Sequence, residues 1–166
     1  MRRTWSTLSR VPRESRVSAY SVMELLLCVA IIGLLSAVAV PHFARSFRES
    51  KIRQTEIDLQ ILVTAVRGQA WDTGQWPGGQ QQDVAGGDPV WDLAADYAGL
   101  IHTDGRFVEW HGPYIDSIPV DPWGSLYFFD PDYRIAGVPY IVVGSLGPNG
   151  VGQLDHDSDN LYVIVN

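Results

Sequence analysis

The chain has 166 residues and a formal net charge of −7. Residues 1–19 hold five Arg against one Glu, so residues 20–166 carry 7 basic and 18 acidic side chains, a balance that excludes the basic face a nucleic acid needs. The single Cys, Cys28, excludes an intramolecular disulfide and, inside an apolar run, reads as a small buried hydrophobe.

The first element is the stretch from Tyr20 to Pro41. Its 21 residues from Tyr20 to Val40 hold one charge, Glu24. At about 1.5 Å per residue such a helix spans roughly the 30 Å of a bilayer core. Arg2, Arg3, Arg10, Arg13 and Arg16 precede it with one acid, Glu14, so residues 1 to 19 are expected in the cytoplasm and everything after Pro41 across the membrane. A carboxylate within such a helix is costly, on the order of 2.5 to 3.5 kcal/mol at mid-bilayer, and is a functional candidate by default.

A short basic leader, a small residue at Ala19, an aromatic at Tyr20, an acid five residues into the following chain at Glu24 and a proline twenty-second at Pro41 together resemble the N-terminal segment of type IV pilins and of type II secretion pseudopilins. The resemblance covers about 25 residues here, and Ala19 stands where that family usually has Gly. It implies cleavage after Ala19 by a prepilin peptidase, N-methylation of Tyr20, and a homo-polymeric filament in which Glu24 meets the cationic amine of a neighbouring subunit. The α-amino group has a reference pKa of about 7.7 to 8.0, so the freed amine is largely charged. A lone charge in oil is heavily penalised and a paired one much less so, which makes the pair a register device between helices. Gly33 and Pro41 bound a stretch expected to unwind readily on packing. Because the small-residue cut site precedes the apolar run, the anchor is expected to stay attached.

Beyond Pro41 the helix is expected to continue, from about Ser21 to about Thr73. Phe43, Phe47, Ile52, Leu59, Leu62, Val63, Val66 and Ala70 recur at helical spacing and leave a polar face of Arg48, Lys51, Gln54, Asp58 and Gln69. Gly74 is a fitting stop, and Pro77, Gly78 and Gly79 bar resumption. Gln75 to Gly87 reads as a flexible loop. Asp88 and Pro89 open an expected short helix through Val90, Trp91, Leu93, Ala94, Tyr97 and Leu100. Trp91, Tyr97 and Trp110 read as core or rim aromatics, with an aromatic sugar platform as the alternative.

The block GPYIDSIPVDPWGSLYFF contains Asp121, Pro122, Trp123 and Gly124 before a strand from Leu126 to Phe129. It resembles the Asp-Pro-Trp-Gly block of major pseudopilins; read from its residues alone it is a turn with Trp123 folded back on the core. Tyr140 to Leu146 and Leu161 to Val165 complete an expected three-stranded antiparallel sheet. Between them Asn149, Asp155, Asp157 and Asp159 crowd one loop, and would repel unless a cation sat among them. Calcium suits flexible, oxygen-rich loops, and magnesium demands a tighter octahedron. An EF-hand is not expected, because its sixth and twelfth positions are Asn160 and Asn166. The run Ser145, Leu146, Gly147, Asn149 and closing Asp159 resembles the calcium loop of major pseudopilins. That resemblance implies main-chain oxygens of Leu146 and Val151 and side-chain oxygens of Asn149, Asp157 and Asp159, with Asn149 one charge short of the usual Asp.

The expected architecture is α+β. A cytoplasmic leader (1–19), a transmembrane assembly helix (20–41) and an amphipathic helix (42–74) precede a periplasmic head (75–166), which places a small three-stranded antiparallel sheet on the helix and contains the Asx-rich loop 144–160. The resemblance implies a subunit of a type II secretion pseudopilus in the bacterial inner membrane, not an enzyme. Its implied partners are its own copies, the peptidase and N-methyltransferase, minor pseudopilins and an inner-membrane assembly platform, with no nucleic acid. The alternatives are a type IV pilus subunit and a membrane-anchored binding or enzymatic head. The four His, at 42, 102, 111 and 156, show no HExxH spacing, and there is no GxSxG elbow.

Overall fold

A computed structural model describes residues 21–82, 86–153 and 155–165. The chain divides into two compact units, Met1–Phe43 and Ala44–Asn166. One α-helix, α1 (Val22–Thr73), has residues in each. It starts on Ser21, whose Oγ accepts the Met23 N–H at 3.3 Å and whose carbonyl accepts those of Glu24 and Leu25, so the open amides of the first turn find acceptors.

In the first unit the helix is apolar all round and almost wholly exposed: Leu26 is 65% and Leu34 72% accessible. It is long and apolar enough to cross a membrane, and a helix of that composition needs a surrounding other than water. The Pro41 ring is accommodated inside an uninterrupted helix.

In the second unit the helix is one-sided. Thr55, Leu59, Leu62, Val63, Ala65, Val66, Gln69 and Ala70 are buried, at spacings that fall on one face. They pack with Val90, Leu93, Leu100, Tyr127, Phe129, Val143 and Val165 into the main core. Two of the expected faces are corrected. Gln69, placed on the polar face by its residue type, is fully buried and donates from Nε2 to the Ala98 carbonyl at 2.8 Å; Phe43 and Phe47, placed on the apolar stripe, are 65% and 69% exposed. Gly74 ends the helix with φ 70°, its N–H on the Ala70 carbonyl at 3.0 Å, the left-handed stop that glycine adopts without Cβ strain.

Two strands too short to be foreseen, β1 (Gln75–Trp76) and β2 (Gln80–Gln81), form a small hairpin inside the segment read as a loop. The expected short helix from Asp88 is absent. Val90 instead exchanges backbone hydrogen bonds with Phe129 at 2.8 and 2.9 Å, and only a 3-10 turn, Asp96–Ala98, follows. Pairing to the sheet edge satisfies both backbone groups of Val90, which outweighs the weak local preference for helix.

The main sheet has three antiparallel strands in the order β3 (Phe128–Ile135), β4 (Val138–Ser145), β5 (Leu161–Ile164). The expected strands are all present, with the first displaced from 126–129. The β3–β4 hairpin turns on Ala136 and Gly137, both at positive φ, the geometry whose twist matches the strands it joins. Pro131 lies in a register shift between Asp130 and Tyr133, where its missing N–H breaks no ladder bond. One sheet face meets α1; the other gathers Phe128, Tyr133 and Val142 with Trp91, Leu146 and Tyr162.

Candidate functional site

Two places carry the expected functional residues, one in each unit. In the first, Glu24 is an exposed carboxylate in the opening turn of α1, among apolar side chains. Among the described residues no ion pair involves it. Gly33 and Pro41 lie within the same helix, and no atom comes within 4 Å of where a Gly33 Cβ would sit. Ala19 and Tyr20 lie outside the described residues.

The second place is the loop from Gly147 to Asn160. The structure brings three of its expected side chains together. Asn149 Nδ2 donates to Asp157 Oδ2 at 2.8 Å and to Asp159 Oδ1 at 2.7 Å, and the Asn149 N–H reaches Asp159 Oδ2 at 3.2 Å. Asn149 Oδ1 in turn accepts the Val151 N–H at 2.8 Å. The hydrogen bond from Asn149 is the main cause that holds the Asp157 carboxyl below the usual carboxylate range. Asp155 stands apart: its backbone forms a parallel β-bridge with Arg134, with the His156 N–H on the Arg134 carbonyl at 2.9 Å, and among the described residues no hydrogen bond links its side chain to the other three. Among the described residues no three His, Cys, Asp or Glu side chains form a metal-sized group; the convergence is two carboxylates and an amide. Leu146 is half-buried and Val151 exposed at the loop's beginning. His156 turns its ring edge to Tyr162 at 5.2 Å, which leaves a purely oxygen-bearing set suited to a hard cation such as calcium.

Three residues that sequence reasoning did not assign to this loop support it. Asp121, 2% exposed, accepts the N–H groups of Trp123 at 3.0 Å and Ser125 at 2.7 Å, and Ser145 Oγ donates to its other oxygen at 2.6 Å. Ser145 Oγ then accepts the Gly147 N–H at 3.1 Å, so the Asp-Pro-Trp-Gly turn holds the loop's entry. At the far end Asn160 and Tyr133, both buried, meet under the loop. Burial chiefly pushes the Tyr133 phenol above its ordinary pKa and keeps it a neutral donor. A polar residue before a strand gives no sign in sequence of which distant hydroxyl it will meet; the Ser-Leu-Gly run did mark the loop entry, whereas the Asp-Pro-Trp-Gly run was legible only as a turn before a strand.

The aromatics form a rim. Trp91 lies against Phe128 with ring centres 5.3 Å apart, Trp110 Nε1 donates to the Gly99 carbonyl at 2.7 Å, and Arg106 lies 5.8 Å from the Tyr97 ring centre. Trp123 is half-buried, with the Lys51 ammonium 5.9 Å from its ring centre.

The chain is 24% identical over 150 residues to the type II secretion system core protein G of Klebsiella pneumoniae, covering 87% of this chain and 94% of that protein. It is 27% identical over 146 residues to the protein of the same name from Pseudomonas aeruginosa, covering 86% and 92%. A 50-residue stretch, 30% of this chain and 23% of the relative, is 38% identical to the type IV major pilin protein PilA of Myxococcus xanthus. No family model and no solved structure matches the chain. With these similarities spanning nearly its whole length and a long apolar helix leading into a small antiparallel head, the chain is similar to the type II secretion core proteins G and has an α+β fold of the type IV pilin-like kind.

Proposed function

We propose that the chain is a structural subunit of a type II secretion pseudopilus, polymerising through α1, and that it catalyses no reaction. The observation that carries this reading is Glu24, the single carboxylate of the apolar part of α1 before Pro41, a stretch otherwise fit for lipid, where stability requires a positive partner. The relatives add support: those named for secretion match over 150 and 146 residues, the pilin over 50. Cleavage after Ala19 supplies the partner as the N-methylated amine of Tyr20 in a neighbouring subunit, and the arginine-rich leader orients the head into the periplasm. The proposed partners are other copies of the chain, the peptidase and methyltransferase, the minor pseudopilins and the assembly platform.

Calcium is the proposed ligand of the Gly147–Asn160 loop, held by Asn149, Asp157 and Asp159 with main-chain oxygens of Leu146 and Val151. Asp155 is left out of this set because no hydrogen bond joins its side chain to Asn149, Asp157 or Asp159, while its backbone is bridged to β3 at Arg134. The bound ion supplies positive charge between carboxylates and stabilises the folded head by mass action.

Two measurements test these readings. Glu24→Ala is expected to remain in the membrane while filament yield falls to background by electron microscopy and cross-linking; filaments at the normal level would remove the role given to Glu24. Millimolar calcium, against a magnesium control, is expected to raise the Tm of the detergent-solubilised chain, and an unchanged Tm would remove the ion.

A further inference from the structure

Beneath the acidic loop lies a hydrogen-bonded latch whose side chains bond to none of the side chains proposed to hold the cation, although the Asn160 N–H reaches the Asp157 carbonyl at 3.2 Å. Tyr133 is 0% exposed, on β3, and Asn160 is 7% exposed, just ahead of β5. Asn160 Nδ2 donates to the Tyr133 hydroxyl at 2.7 Å and to the Gly152 carbonyl at 3.1 Å, and the Tyr133 hydroxyl donates to that same carbonyl at 3.0 Å. Two donors from two different strand regions therefore fix one peptide in the middle of the loop. The approach is close: Gly152 has φ 89°, and a Cβ there would collide with Asn160 Nδ2 and stand 3.0 Å from the Asp157 Cβ. The neck is equally tight, since a Cβ on Gly147, at φ 66°, would collide with the Asp159 carbonyl. Gly152 lies between Val151, which binds Asn149, and the acids that Asn149 joins. Fixing its carbonyl fixes how far apart the two ends of the acidic cluster stand.

We infer that Tyr133 and Asn160 are positioning residues for the loop: by clamping the Gly152 carbonyl they hold Asn149, Asp157 and Asp159 convergent before a cation arrives. This rests on the calcium reading for its consequence, though not for the latch itself. A preformed site spends less of its binding free energy on ordering the loop, and affinity depends on that rigidity. The latch residues do not touch the ion; they act through the backbone between its ligands.

The test uses Tyr133→Phe in the full processed chain in detergent. The substitution removes only the hydroxyl and keeps the ring packed against Phe128 and Tyr162, 5.5 and 6.3 Å away centre to centre. Tyr162→Phe, which removes a hydroxyl outside the latch, is the control. Isothermal titration with calcium chloride is expected to give a Kd about fivefold weaker for Tyr133→Phe, the effect of one hydrogen bond, and an unchanged Kd for Tyr162→Phe. Hydrogen exchange in excess chelator is expected to be faster across 147–160 in Tyr133→Phe alone, and this readout needs no bound ion. Equal affinity and equal exchange in wild type and Tyr133→Phe would overturn the latch while leaving the calcium reading intact. A wild type that binds no calcium, together with faster exchange in Tyr133→Phe, would overturn the calcium reading and keep the latch. A fall in Tm that is the same with calcium and with chelator, with no change in Kd, would reduce Tyr133 to ordinary core packing and overturn the inference.

Discussion

The two ends of α1 both carry large apolar side chains, and these meet different fates. Around Leu26 and Leu34 the helix side chains are more than half exposed, while Leu59, Leu62 and Val66 are buried to within 2%. Both lie in one continuous helix, so the contrast in burial of their leucines comes from what each end finds to pack on. The later part has a sheet folded from its own chain; the earlier part finds nothing to pack on among the described residues, and under the proposed function lipid or other copies cover it. Apolar burial is worth roughly 1.5 to 3 kcal/mol per large side chain, and in one half it is obtained by folding, in the other by insertion or assembly.

The contrast is broken most directly by paired truncations. Leu62→Ala is expected to destabilise the detergent-solubilised chain by about 2 to 5 kcal/mol, read as a shift in the denaturant midpoint, while Leu26→Ala leaves that midpoint unchanged. Equal losses would mean that both halves are held by the same intramolecular contacts.

A smaller and sharper test compares the acids. Glu24 is exposed in the single chain, whereas Asp130 is buried by its own fold, 1% exposed, with the Asp132 N–H on its Oδ1 at 2.9 Å. Burial pushes Asp130 up to about 7. Its folded pKa lies above the unfolded value, so the folded state binds the proton more tightly, and this group stabilises the fold when protonated. Its contribution is greatest at acidic pH below the unfolded carboxylate range and is lost as pH rises through about 7. Urea unfolding is expected to show stability falling between about pH 4 and pH 7 from this source, with the slope reduced in Asp130→Asn. An unaltered slope in that variant would show that the carboxyl does not titrate there.

What could be read from residues alone divides along the same line. The helix, its glycine stop and three strands were visible because apolar spacing and turn residues are local signals. Asp88 to Leu100 was misread because the deciding interaction, Val90 on Phe129, joins positions far apart in sequence. Gln69 was misread because residue type reports polarity and not whether a distant carbonyl waits for it. In the acidic loop, composition marked Asn149, Asp157 and Asp159, which meet, but could not separate them from Asp155, whose backbone is bridged to β3 at Arg134. The supporting layer of Asp121, Tyr133 and Asn160 is assembled from three parts of the chain, and no spacing rule brings these together.

The buried amide of Gln69 has a mechanical consequence. Its Nε2 grips the Ala98 carbonyl from inside the apolar stripe, and its Oε1 is enclosed without a donor among the described residues. Sliding this part of the helix by one turn, about 5.4 Å, would tear that grip and drag a bare polar group across hydrocarbon. Axial tension on residues 55–70 is therefore passed to the globular body at a fixed point, so that the two travel together under load.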